Sequence, residues 1–176
     1  MISDFVKGKK KFEYPAAIQK GIMLHRQIDT FTDQHEATKT AKEIFRPAYR
    51  LYSGAFTDVV YDHFLACDEN EFSKDTLHEF SQLTYSNLDK YQEWMPDKFA
   101  VIFPYMKQYN WLFNYHTRWG TEKSLGGVVR RAQYLTESAT AFRLFEQHYQ
   151  LLQDCYRHFW AALKPFAQKE FEELQK

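Results

Sequence analysis

A chain of 176 residues, 44% of them hydrophobic and 18% aromatic, has the apolar content for a substantial core, which excludes a disordered protein. Its 23 basic and 23 acidic residues cancel, so no global field draws in nucleic acid or an anionic membrane, and a charged partner must be met by a local patch. Cys67 and Cys155 lie far apart and in no CxxC arrangement, which argues against a disulfide framework or a zinc knuckle and makes a reduced, cytoplasmic setting the expectation. The start, MISDFVKGKKKF, lacks the apolar run of a signal peptide, and no segment approaches the roughly 20 apolar residues of a transmembrane helix.

Gly8 and the basic run Lys9, Lys10 and Lys11 read as a surface turn, solvated or docking an acidic partner. Pro15 then sits where a first helical turn accepts it, and the pattern predicts a helix over 15–34. A short second helix over 36–45 is expected to be interrupted by Pro47, which has no N–H to donate. The next helix spans about 48–67 and closes on the polar run Asp68, Glu69, Asn70 and Glu71. Ser73 is placed to cap a helix reaching Trp94, with Leu77, Phe80, Leu83, Leu88 and Tyr91 as its inward residues.

Pro96 opens an aromatic helix that contains Phe99, Phe103, Tyr105, Tyr109, Trp111 and Phe113. That run reads as core, or as the lining of a groove for a long thin substrate. The pattern breaks around Thr117 to Gly120, and a weaker helix with the Gly126–Gly127 pair continues to about Leu135. In the last helix Phe142, Phe145, Tyr149, Leu152, Tyr156, Phe159, Leu163 and Phe166 alternate three- and four-residue steps, the mark of a packing seam. Pro165 is expected to kink or end it. No strand-like alternation or internal repeat occurs, so the fold expected is an all-α, single-domain bundle of about six to eight helices, with its motifs in 1–70 and aromatic packing helices in 71–176.

Two stretches break the rule that a core face stays apolar. In GIMLHRQIDTFTD, the residues Ile18, Ile22, His25, Asp29 and Asp33 share a helix face, so an apolar stripe ends in imidazole and carboxylates. DVVYDHFL sets Asp58 and Asp62 one turn apart, with His63 about 100° round the helix. A lone His held by an i+4 Asp is also a common structural pair. Unpaired carboxylates among apolar residues are costly, however, and face a cation or a basic side chain. If the two segments meet, they gather the donors of a divalent-metal site, and phosphoester hydrolysis is the natural chemistry. Arg46, Arg50, Arg118, Arg130 and Arg131 are candidates for phosphate or partner binding; His116, His148 and His158 read as packing residues.

SDFVKGK at Ser3 to Lys9, IQKGIMLHRQIDTFTD at Ile18 to Asp33, FRP at Phe45 to Pro47 and DVVYDHFLA at Asp58 to Ala66 together resemble the acyl carrier protein phosphodiesterase family. This family is described as an unorthodox, HD-like branch of metal-dependent phosphohydrolases. The resemblance implies hydrolysis of the phosphodiester joining 4′-phosphopantetheine to a serine of holo-acyl carrier protein, with Mn²⁺ or Mg²⁺, though His ligands also admit Fe, Co or Zn. Carried over residue by residue, it implies Asp4, His25, Asp62 and His63 as metal ligands and Asp29 as a ligand or an orienter of His. Asp58 would stand behind them, Arg26 would neutralise a phosphate oxygen, and a metal-bound water would be the nucleophile.

The chain departs from the family pattern in two ways. Its adjacent pair runs Asp62 then His63, the reverse of the usual HD order. Family members also begin with a further apolar segment of the type NFLAHL, whereas this chain starts directly in the DFV element; a missing helix would expose core surface and drive copies of the chain together. Two other functions fit the residues: an HD-like phosphohydrolase of small phosphoesters or nucleotides, and an inactive helical protein that binds acyl carrier protein or itself.

Overall fold

A computed structural model of the chain describes residues 2–176. Among the described residues there are nine α-helices and no strand: α1 (Ala16–Gln34), α2 (Glu36–Tyr49), α3 (Ser53–Ala66), α4 (Lys74–Asp89), α5 (Asp97–Gln108), α6 (Trp111–Asn114), α7 (Arg118–Arg131), α8 (Ala139–Gln147) and α9 (Tyr149–Gln175). The all-α bundle expected from periodicity is therefore present, with one helix more than the expected range because two predicted helices are each split in two. The aromatic helix stops at Gln108 and resumes as α6 after Asn110, which takes a left-handed φ of 42°. The terminal seam is divided at His148 into α8 and α9.

Helix ends follow local chemistry. The Ser73 hydroxyl accepts from the Thr76 N–H while the Thr76 hydroxyl accepts from the Ser73 N–H, a reciprocal cap that starts α4 one residue after the sequence signal. His35 alone joins α1 to α2, and its Nδ1 accepts the Ala37 N–H. Pro47 lies inside α2, which runs on to Tyr49; the break falls at Arg50, whose φ of 47° is a left-handed backbone that arginine rarely adopts. Pro165 likewise lies inside α9, which continues to Gln175. Pro165 is exposed, so the carbonyl that loses its helical partner faces water.

α3 is the centre of the bundle. It packs on α2, α7 and α9, burying Phe56, Thr57, Val59, Val60, Tyr61, His63 and Phe64. The seam of α8 and α9 meets it with Phe145, Leu152, Tyr156 and Phe159, all buried. Of the α3 residues only Ala55, Asp58 and Asp62 are exposed. They follow at steps of three and four, so one narrow stripe of a buried helix is left open and its polar content is two carboxylates. A second cluster, Tyr85, Phe99 and Phe103, joins α4 to α5 and packs against Ile2 and Phe5. The inward face of α4 is Leu77, Ser81 and Tyr85 with Leu88 partly buried; Phe80, Leu83 and Tyr91, expected inside, are exposed. His148 and His158, expected to pack, are exposed as well.

At the start of α7, Thr117 accepts the Gly120 N–H on its hydroxyl, and Gly120 is buried against the end of α6. A Cβ built on Gly120 would lie 2.0 Å from the Asn114 carbonyl oxygen, a contact with backbone that no side-chain rotation relieves. Gly120→Ala is expected to lower the denaturation midpoint by about 1–3 kcal/mol equivalent, despite alanine's better helix propensity. Gly21 in α1 has no atom within 4 Å of its would-be Cβ. Gly21→Ala is therefore expected to match or exceed the wild-type midpoint, and equal losses at both positions would refute the steric argument.

Candidate metal centre

The site begins with a local pair. His25 and Asp29 are one turn apart on α1, and the imidazole Nδ1 lies 2.9 Å from Asp29 Oδ2. A carboxylate only accepts, so Nδ1 carries the proton and the Nε2 lone pair is left free. Nε2 points to Asp4, 3.9 Å from its Oδ1. One donor atom each from Asp4, His25 and Asp29 lies within 4.8 Å of the others.

Asp4 reaches this position from a short turn of 3₁₀ helix, Ser3–Phe5. Two contacts hold the turn over α1. Phe5 packs on Phe99 of the second apolar cluster, ring centres 5.8 Å apart, and Arg26 Nη2 donates to the Val6 carbonyl at 2.6 Å. Arg26, expected at a phosphate, thus commits one of its donors to the backbone that places Asp4. Asp33, last on the same face, is held by Lys42 of α2 at 2.7 Å.

The exposed stripe of α3 adds two more acids. Asp58 and Asp62 are open to water by area, yet they stand in a concave setting dense with protein. That setting pushes the Asp58 carboxyl up to about 6; Lys42 opposes the rise, and Asp29, Asp33 and Asp4 add to it. The influence of Asp4 and Asp29 places Asp58 in the electrostatic field of the Asp4–His25–Asp29 cluster. Asp62 is pushed up to about 7, first by the same recessed setting and then by Asp58, with the neighbouring Tyr115 phenol opposing. An excess of acids around one free imidazole nitrogen is a donor set that fits a divalent cation.

His63 does not join this group. The residue is 2% exposed and lies on the core side of α3. Nδ1 is 2.8 Å from the Tyr115 carbonyl and 3.0 Å from Thr121 Oγ1, while Nε2 is 3.0 Å from the Tyr149 hydroxyl. The carbonyl requires a proton on Nδ1, so Nε2 accepts from Tyr149 and both nitrogens are engaged. Burial holds its pKa below the usual imidazole value, with the Tyr115 carbonyl opposing. Sequence spacing separated His63 from Asp62 by about 100°, and in the fold that angle is the difference between core and cleft. The partners Tyr115, Thr121 and Tyr149 carry no local signal, lying 52, 58 and 86 residues away.

The profile of the family described as acyl carrier protein phosphodiesterase matches residues 1–163. A protein of that name from Yersinia pestis is 33% identical over 169 residues, 96% of this chain and 88% of the relative. Namesakes from Klebsiella pneumoniae (29% over 171 residues, 97% and 89%) and Photorhabdus laumondii (29% over 150 residues, 85% and 76%) are similar in the same way. No solved structure matches. A profile match over most of the chain, together with relatives aligned along nearly its whole length, shows that the chain belongs to the acyl carrier protein phosphodiesterase family.

Proposed function

We propose that this chain hydrolyses the phosphodiester between 4′-phosphopantetheine and a serine of holo-acyl carrier protein, using a divalent cation, Mn²⁺ or Mg²⁺ by the hardness of its carboxylate donors. The observation that carries the reading is the convergence of Asp4, His25 and Asp29 in a chain of this family. Asp4 and His25 Nε2 would hold the ion, and Asp29 would fix the imidazole through Nδ1. Bound there, a divalent ion supplies Lewis acidity to a phosphoryl oxygen and acidifies water.

The chain's own acids then manage protons. Asp58 and Asp62, the two acids on the exposed stripe of α3, would take a proton from the attacking water and return one to the departing serine oxygen. One P–O bond to serine breaks and one P–O bond to the water oxygen forms, leaving apo-protein and free 4′-phosphopantetheine. No helix among the described residues is long and apolar enough to cross a membrane. Cys67 and Cys155 are unpaired, as a reducing cytoplasm would keep them.

Intact-mass measurement of holo-acyl carrier protein incubated with the Mn²⁺-loaded chain tests the reading: conversion to the apo mass is expected, and chelation with EDTA should stop it. Turnover of small phosphodiesters with an unchanged carrier protein would instead favour a small-molecule phosphohydrolase.

A further inference from the structure

A cavity of ≈ 470 Å³ opens between α5, α6 and α7, within the range of small-molecule sites. Tyr105, Tyr109, Trp111 and Trp119 form an aromatic wall. Tyr105 and Trp119 are each 54% exposed, so the concavity leaves large apolar surface to water. Lys123, Arg130 and Arg131 also line it, and none of its lining residues is acidic. Two other cations of these helices are paired with acids, Arg118 with Glu146 and Lys107 with Asp89. No carboxylate pairs with Lys123, Arg130 or Arg131 among the described residues.

Gly127 contributes to this arrangement. A Cβ there would sit 3.4 Å from Arg131 Nη1 and 3.6 Å from Arg130 Nη2, so both guanidinium groups fold back over the glycine. The cavity also meets the acidic cleft. Val59 of α3, next to Asp58, and Tyr115, whose phenol neighbours Asp62, are both part of its lining. Arg131 is close enough to Tyr115 to act on its phenol.

A ligand that suits these features is slim, largely uncharged along its body and anionic at one end. We propose that this cavity receives the phosphopantetheine arm, its body against the Tyr105–Trp119 wall and its phosphoryl end at the Arg130–Arg131 corner beside Tyr115. The proposal rests on the function proposed above and extends it from the reacting bond to the recognition of the arm. A guanidinium fork matches phosphate oxygens, and the aromatic wall takes up the uncharged body without a demand for charge.

Binding is separable from hydrolysis. Calorimetric titration of the metal-free 176-residue chain with 4′-phosphopantetheine should show saturable binding, weakened roughly tenfold or more in Arg130→Gln/Arg131→Gln. Pantetheine, lacking the phosphate, should bind more weakly and lose little further in that double variant. Trp119→Ala, at an exposed position, should weaken both ligands. The proposal is overturned if inorganic phosphate binds as tightly as phosphopantetheine, or if the variants leave its affinity unchanged. It is also overturned if they weaken apo- and holo-acyl carrier protein equally, which would make the face a dock for an acidic protein. Dimerisation in sedimentation, abolished by Trp119→Ala, would assign the wall to a second copy and overturn it too. Hydrolysis of holo-protein that is indifferent to all these substitutions would refute the arm site and leave the phosphodiesterase reading standing. Phosphopantetheine binding with these effects in a chain that never hydrolyses the carrier would do the reverse.

Discussion

His25→Ala is expected to abolish stoichiometric Mn²⁺ binding and to lower holo-to-apo conversion by more than the ~10–100-fold that loss of an orienting partner costs. His25 has one nitrogen committed to Asp29 at 2.9 Å and the other free toward Asp4, so its removal takes away a donor and the group that aligns two acids. Asp29→Asn is the graded companion. The amide still hydrogen-bonds the ring, but it can present its NH₂ to Nδ1 and shift the imidazole proton to Nε2, the nitrogen that must stay bare. Its expected cost is the ~10–100-fold itself. The side chain of His25 is 30% exposed and that of Asp29 55%, so both variants should keep their helical circular dichroism and stability to within about 0.5 kcal/mol. Metal content by elemental analysis, measured on folded protein without substrate, decides the matter apart from activity. Retention of wild-type metal stoichiometry and rate by His25→Ala would sink the assignment.

How much of this was legible in advance depended on whether a residue's partner was near it in sequence. His25 and Asp29 are one helical turn apart, so their pairing needs only the helix, and the face from Ile18 to Asp33 marks the helix as amphipathic with a polar end. The seam from Phe142 to Phe166 is buried or partly buried at each of its eight positions, since a long apolar stripe has few other ways to be satisfied. His63 shows the opposite case. Its type and its place beside Asp62 suggested a ligand, but one residue of helix turns the side chain to a different neighbour. Which neighbour waits there is set by α7 and α9, packed from far along the chain. The cavity wall is similar: the aromatic run from Phe99 to Phe113 reads first as core, with a groove as the alternative. Phe99 and Phe103 went to the core while Tyr105 and Tyr109 stayed exposed, because Phe99 and Phe103 share one face of α5 and Tyr105 lies about 200° round the helix from Phe103.

If His63 is structural, its loss should appear in stability and not in metal content. His63→Ala is expected to destabilise the fold by about 4 kcal/mol or more. Truncating a large buried side chain to alanine costs about 2–5 kcal/mol. Stranding the Tyr115 carbonyl, the Tyr149 hydroxyl or Thr121 adds about 1–3 kcal/mol for each group that finds no water. His63→Asn keeps a donor for the Tyr115 carbonyl and should cost less.

The same burial gives His63 a pH signature of definite sign. Its folded pKa lies below the unfolded value of about 6.5, so below that pH the unfolded chain binds the proton more readily than the native one. The stability that neutral His63 contributes is present above about 6.5 and is lost as pH falls toward the folded pKa. Asp58 and Asp62 act in the other direction. Their pKa values, raised to about 6 and about 7, give stability that is present at low pH and lost as pH rises through those values. The raw pH curve therefore mixes both trends, and the informative quantity is the difference between wild type and His63→Asn in urea denaturation. That difference should narrow as pH is lowered from 7.5 to 5.5, because acid removes from the wild type what the substitution has already removed from the variant. A pH-independent difference, or loss of Mn²⁺ from folded His63→Asn, would return His63 to the metal centre.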